Sequence, residues 1–187
     1  MLRGVNLVGR NRVKMDSLRS LYESLKLEDP RTFIQSGNVV FRTKLPHNEK
    51  NCAALTKKIQ NGIERTFGFR PEVILRTPDE LRAAIAATPF PAQRNLHFSK
   101  VLVTFLAAAP TAEAASAAHA TLLALKSHPE EVHLKGRELY IYFPNGVGQS
   151  KLPWSKVEKL LNVTGTARNW SSVTKMLAIA EEMEAAE

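Results

Sequence analysis

The chain has 187 residues and a mass of 20.8 kDa, 44% of it hydrophobic and 24% charged, which suits one moderate domain or two small ones sharing a core. No apolar run approaches the ~20 residues needed to cross a bilayer, so a spanning helix is excluded and no membrane partner is expected. The single Cys52 excludes an internal disulfide, has no nearby His or Cys for a metal set, and points to a reducing cytoplasm.

The net charge of +8 sits in one half. Residues 1–76 hold 15 Lys/Arg against 7 Asp/Glu, whereas 77–98 and 99–187 each balance to zero. A basic half can be the footprint of nucleic acid, a nucleotide or phosphate, or it can be a solvated face that aids solubility. Arg10, Arg12 and Lys14 share one loop, with no interleaved aromatics to stack on bases.

In chain order, Met1 to Leu7 reads as the end of a strand, and its abrupt start predicts further residues upstream. A basic loop with Gly and Asn follows to Lys14. Leu18, Leu21, Tyr22 and Leu25 mark one face of a helix capped by Asp16 and broken at Asp29-Pro30. Thr32 to Phe41 reads as a tight hairpin around Ser36-Gly37. Leu55, Ile59, Ile63 and Phe67 mark a second helix that carries Cys52 as a buried thiol and that Gly68 closes. Residues 72–76 supply a last short strand.

Thr77-Pro78-Asp79-Glu80 is a capping box opening a short helix with Leu81 and Ile85 on its apolar side, ended by Pro89 and Pro91 before a loop to Asn95. Val101 to Leu106 is apolar on both faces and predicts a central strand. An Ala-rich helix starts near Thr111, with Leu122 and Leu125 near its end. A second hairpin turns at Lys135-Gly136, with Leu139, Ile141 and Phe143 on one side and Tyr140 and Tyr142 on the other. After a Gly-rich loop at 144–151 comes a helix with Val157, Leu160 and Leu161, starting at Pro153 or at the box Ser155-x-x-Glu158. Thr164 to Arg168 is extended, and a final helix carries Val173, Met176, Leu177 and Ala180 before an acidic, frayed end at Glu181 to Glu187.

Setting Gly37 on Gly136 lays Leu2 on Val101, strand upon strand. The fold expected is α+β, with two ferredoxin-like (βαββαβ) units in tandem, a short connector helix and a C-terminal helix. The domain boundaries expected are 1–76, a connector at 77–98, and 99–187.

Three polar stretches fall where strands hand over to loops or helices: Arg3-Gly4-x-Asn6 with Lys14 behind it, Gly146-x-Gly148-x-Ser150-Lys151, and Thr166-x-Arg168-Asn169-Trp170. Backbone N–H groups of a Gly-rich loop or helix start, with Lys or Arg beside them, can hold an anion. The spacing around Lys151 departs from the G-x-x-x-x-G-K-[ST] phosphate loop and equally suits a wide turn followed by a solvated lysine. Arg168-Asn169-Trp170 can group a planar donor, an amide and a stacking surface; it can as well be an ion pair, a helix cap and a core residue. Arg3 can be an edge arginine, and Ser36 and Asn38 flank the turn glycine as turn residues do. The ligand-binding set expected is therefore Arg3, Asn6, Lys14, Ser36, Asn38, Ser150, Lys151, Arg168, Asn169 and Trp170, with at least two of the cations Arg3, Lys151 and Arg168, together with Asn6 or Asn169, lining one concave surface. No catalytic set can be nominated: the histidines His47, His97, His119, His128 and His133 are scattered, and no G-x-S-x-G elbow is present. No metal or cofactor is expected. The partner expected is a small anionic ligand, with nucleic acid or a protein partner on the basic half as the alternative.

Leu2-Arg3-Gly4-Val5-Asn6, Gln35-Ser36-Gly37-Asn38-Val39-Val40-Phe41, Gly136-Arg137-Glu138-Leu139-Tyr140, Ser150-Lys151-Leu152 and Thr166-Ala167-Arg168-Asn169-Trp170 together resemble the bacterial family known as domain of unknown function 1697. The resemblance runs in order over essentially the whole chain. It implies an α+β protein of duplicated ferredoxin-like character and no activity, substrate or catalytic residue. Members of that family usually carry several more residues before the Leu-Arg-Gly motif.

Overall fold

A computed structural model describes residues 1–90, 97–124, 129–152 and 154–186. Among them are six α-helices and two small sheets, a mixed α+β fold. They group into two compact units, one of residues 1–79 with 175–187 and the other of residues 80–174. The connector helix thus groups almost wholly with the second unit, and the end of the last helix with the first, whereas the sequence boundaries keep 77–98 and 99–187 apart.

In the first unit, helix α1 (Met15–Ser24) buries Leu18, Leu21 and Tyr22. Its cap position is Lys14, without a side-chain cap bond; Asp16 lies inside the first turn and pairs with Arg19. The expected Asp16 cap is two residues out. The helix also ends earlier than Asp29-Pro30, at Leu25 and the left-handed Lys26 (φ +58°). Asp29-Pro30 belongs instead to strand β1 (Glu28–Phe33), which pairs antiparallel with β2 (Asn38–Arg42). The register slips between Glu28 and Arg31, and this bulge accommodates Pro30, which has no N–H for the ladder. The hairpin loop is four residues, 34–37, rather than a two-residue turn at Ser36-Gly37. Helix α2 (Glu49–Phe67) is capped by Asn48, whose side chain accepts from Asn51 N–H, and closed by Gly68 at φ +77°, as its sequence requires. Cys52 on this helix is half-buried, not buried, because it sits one turn before the stripe of Leu55, Ile59 and Ile63.

The expected first and last strands of this unit are a single bridged pair, Leu2 with Val73. Arg3 N–H donates to Glu72 O, Ile74 N–H to Met1 O, and Leu2 N–H to Gly37 O, each at 2.9 Å. Left-handed Gly4 (φ +72°) and Asn6 (φ +54°) turn the chain away before a ladder can extend. Leu2, Val5, Val13, Val39, Val73 and the apolar faces of α1 and α2 form this unit's core.

The second unit contains α3 (Pro78–Ala86, its first two residues assigned to the first unit), β3 (Val101–Leu106), α4 (Ala112–Ala124), β4 (Glu131–Lys135), β5 (Glu138–Tyr142), α5 (Trp154–Leu161) and β6 (Gly165–Asn169). Its sheet runs β4-β5-β3-β6, all antiparallel. β3 is central, as its two apolar faces demand. The β4-β5 hairpin turns on Gly136-Arg137, one residue later than expected, with positive φ only at Gly136. On one sheet face Leu139, Ile141 and Phe143 pack with Ala118, Leu152, Val157 and Leu161. On the other, Tyr140 is buried and its hydroxyl donates to Ala84 O of α3 at 2.7 Å, satisfying a carbonyl in that helix's last turn. Phe90 joins this face beside His133 and Tyr142.

Helix α6 (Trp170–Glu184) runs on from β6 and stays helical past Glu181; Met183 is buried and Glu182 lies 3.9 Å from Arg31, so this stretch is packed rather than frayed. Pro91 to Asn95, Leu125, His128, Pro153, the side chains of Leu122 and Ser155, and Glu187 lie outside the described residues.

Candidate functional site

The expected site residues of the first unit lie on or beside the loop by which the chain leaves Arg3 and reaches α1. Four positions in this loop take left-handed backbone: Gly4, Asn6, Gly9 and Asn11, with φ between +52° and +76°. Glycine and asparagine are the residues that adopt this conformation at least cost. Asn6 N–H donates to Asn11 O at 2.9 Å, and Arg10 N–H to Leu7 O at 3.0 Å, which closes the turn 7–10. Asn11 Nδ2 donates to Gly4 O at 2.8 Å. Asn6 does more: its Nδ2 donates to Val13 O (3.0 Å) and Gln35 O (2.8 Å), and its Oδ1 accepts from Val13 N–H (2.7 Å). Val13 is buried in the core, so these bonds fix the loop to the interior and tie it to hairpin loop 34–37.

This hydrogen-bonded loop presents cations. Around inward-facing Val13, Arg12 and Lys14 are exposed, as is Arg10. Among the described residues none of these three side chains is in an ion pair, and the chain has no Asp or Glu before Asp16, which is engaged by Arg19. Lys14, one of the expected ligand-binding residues, is thus an exposed cation on this loop. Asn6 has its amide committed to holding the loop, a positioning role. Asn38 is fully buried, and its Nδ2 donates to Ser36 Oγ (2.9 Å) and Phe33 O (3.4 Å), closing loop 34–37. Asn6, Ser36, Asn38 and Lys14 therefore belong to one loop cluster. Arg3 leads into it, half-buried.

The remaining expected residues are in the second unit. In the loop after β5, Gly146 N–H donates to Phe143 O and closes the turn 143–146, while Gln149 N–H donates to Gly146 O and Ser150 N–H to Val147 O around a 3-10 turn (Val147–Gln149), so these three amides are engaged within the loop. Ser150 Oγ accepts from Leu152 N–H, and Lys151 is exposed. Arg168 is only 7% exposed. In β6 it pairs with Val103 and shares the α3-side face with Thr166, to whose Oγ1 it donates at 2.8 Å; it donates also to Ala167 O at 2.7 Å. Burial lowers its pKa to about 10, which leaves it cationic at neutral pH. Leu152, next to Lys151, packs on the opposite face of that sheet. Asn169 caps α6, accepting from Ser172 N–H at 2.8 Å and Ser171 Oγ at 3.1 Å. Trp170 is half-buried and stacks on Phe98, with ring centroids 5.0 Å apart. Thus Arg168 is a buried donor, Asn169 a cap and Trp170 a packing residue. Arg3 belongs to the first unit, and Lys151 and Arg168 to the second.

Among the described residues no three His, Cys, Asp or Glu side chains are close enough to hold a metal ion. The exposed loop cations left out of the expected ligand-binding set are Arg10 and Arg12, noted in the sequence only as basic loop residues. The signal was the alternation of Gly4, Asn6, Gly9 and Asn11 around them, which specifies a built loop rather than a slack one.

A family model described as "Protein of unknown function (DUF1697)" matches residues 1–140. No curated protein matches the chain. The solved structure of conserved bacterial protein SP0830 from Streptococcus pneumoniae is similar with a TM-score of 0.65 and 23% identity, covering 96% of this chain and 95% of that one. At that identity the likeness concerns the fold alone.

Proposed function

This chain belongs to the DUF1697 family of proteins of unknown function, and we propose that it binds a phosphate-bearing ligand through the basic loop of its first unit. The observation that carries this reading is the set Arg10, Arg12 and Lys14: exposed, without a carboxylate partner among the described residues, on a loop held by Asn6 and Asn11. Arg12 and Lys14 are two residues apart on extended chain, so their Cα atoms stand about 7 Å apart and both project outward. Like charges cost on the order of 1 kcal/mol for a pair 4 Å apart in water, less at this spacing, and an anion between them reverses the sign. Because the loop is already ordered, binding does not have to order it. The half-buried, lone Cys52 fits a reducing compartment. We also read the two units as a duplicated ferredoxin-like pair, a view supported by the β4-β5-β3-β6 order and by the backbone bonds flanking Leu2.

A thermal-shift screen against nucleotides, sugar phosphates and short oligonucleotides tests the reading. A ligand at 100 times its Kd adds about 2.7 kcal/mol to the native state. Arg12→Ser with Lys14→Ser should abolish the shift and leave the unliganded midpoint in place; a shift that survives both substitutions overturns the assignment. A second reading, contact with nucleic acid, is favoured by exposed Lys57 and Lys58 on α2. It predicts a steep salt dependence, a slope of about −0.9 per phosphate contacted on duplex DNA. A single bound anion gives a much shallower one.

A further inference from the structure

Among the described residues, three of the five large hydrophobic side chains that stand exposed lie on the two turns joined by the Asn6–Gln35 bond: Leu7 (56%), Val8 (104%) and Ile34 (50%). The folding of these turns does not call for them. Val8 is the second residue of the turn 7–10, whose special requirement falls on left-handed Gly9 (φ +76°). Ile34 is more telling, because it is β-branched and yet held at φ +49°, where Asn or Gly would sit without strain. Strain retained at an exposed apolar residue points to a use for that residue. Around these aliphatic tips stand Arg10, Arg12 and Lys14, with no acid in the first fifteen residues.

An aliphatic tip flanked by cations matches the boundary between headgroups and acyl chains of an anionic bilayer, where apolar burial and charge attraction act together. The tip has no aromatic ring to stack on a base and no Trp or Tyr anchor of the kind that dominates protein interfaces. We propose that turns 7–10 and 34–37 dock the first unit on an anionic lipid surface. Leu7, Val8 and Ile34 enter the interface, and Arg10, Arg12 and Lys14 engage lipid phosphates. The proposal rests on the anion-binding reading above and names its ligand source. No described helix is long and apolar enough to cross a membrane, but peripheral docking makes no such demand on length.

The test is co-sedimentation of the full chain with phosphatidylcholine vesicles, with and without phosphatidylglycerol, alongside thermal shifts with inorganic phosphate and a short DNA duplex. Binding is expected on the mixed vesicles only, and to weaken with salt. Val8→Ser with Ile34→Asn should reduce vesicle binding by about tenfold or more while leaving the thermal midpoint unchanged or raised, since Ile34→Asn relieves strain. Arg12→Ser with Lys14→Ser should abolish vesicle and phosphate binding together. Vesicle binding indifferent to Val8→Ser with Ile34→Asn overturns the docking. So does binding to the duplex or to phosphate without binding to vesicles, although either result leaves the anion-binding reading in place. Failure to bind any of the anionic probes overturns both.

Discussion

Gly37 is where a single methyl group should be felt most. A Cβ added there would lie 2.9 Å from Leu2 Cβ and 3.3 Å from Val5 Cβ, both in the core, and the backbone φ is +74°. The left-handed conformation costs an alanine about 1–2 kcal/mol. Relieving the compression costs roughly 1–3 kcal/mol more, because the Leu2 N–H to Gly37 O bond holds the two segments together. Gly37→Ala should therefore lose about 2–5 kcal/mol, a large share of a typical 5–15 kcal/mol stability. Gly136 supplies the control: it has φ +58° and nothing within 4 Å of an added Cβ, so Gly136→Ala should lose only the conformational ~1–2 kcal/mol. Denaturant unfolding by circular dichroism, with amide exchange at Val39 and Tyr140 reporting each unit, measures both. Equal losses in the two variants, within ~0.5 kcal/mol, would refute the claim that Leu2 and Val5 set the cost at Gly37.

Asn6→Gly keeps the left-handed backbone and removes three side-chain hydrogen bonds, so the fold should lose about 1–3 kcal/mol and trypsin should cut faster at Arg10 or Arg12. Unchanged cleavage would mean the loop is held by other contacts. Tyr140→Phe should cost about 1–2 kcal/mol by chemical denaturation, because the Ala84 carbonyl loses its buried donor. Burial, and then the Glu138 charge, raise the Tyr140 pKa from 10.0 to about 12. The unfolded chain gives up that proton first, so this stabilising contribution is whole below pH ~10 and fades as pH rises toward 12. The difference in stability between wild type and Tyr140→Phe should shrink over that window, and a difference that stays constant would contradict the sign. Gly165→Ala would bring a Cβ to 2.9 Å from Leu106 Cδ2 and 3.1 Å from Phe105 O, and should lower the midpoint by about 1–3 kcal/mol of stability.

What the sequence determined by itself was local. The spacing of Leu55, Ile59 and Ile63 produces α2 and Gly68 stops it, because periodicity and a left-handed cap act within a few residues. Val101 to Leu106 had to lie between two neighbours, since both its faces are apolar. The two hairpins followed from runs of strand formers around glycine, and their loops differed from expectation because strand pairing chooses the last bonded residues. Other outcomes needed partners far away in sequence. Leu2 pairs with one residue instead of a strand, since Gly4 and Asn6 turn the chain toward bonds with Asn11 and Gln35. Asp29-Pro30 entered a strand because a bulge opposite β2 could absorb its missing N–H. Arg168 alternates with Ala167 and Asn169 in β6, and only the register against Val103 put it on the inner face and lowered its pKa. The candidate site divides the same way: its cations are written in residues 10–14, but their fixed display depends on Asn6 reaching a carbonyl 29 residues on. Local patterns carry short-range energies, and a hydrogen bond closed across such a distance is specified only when the whole unit has folded.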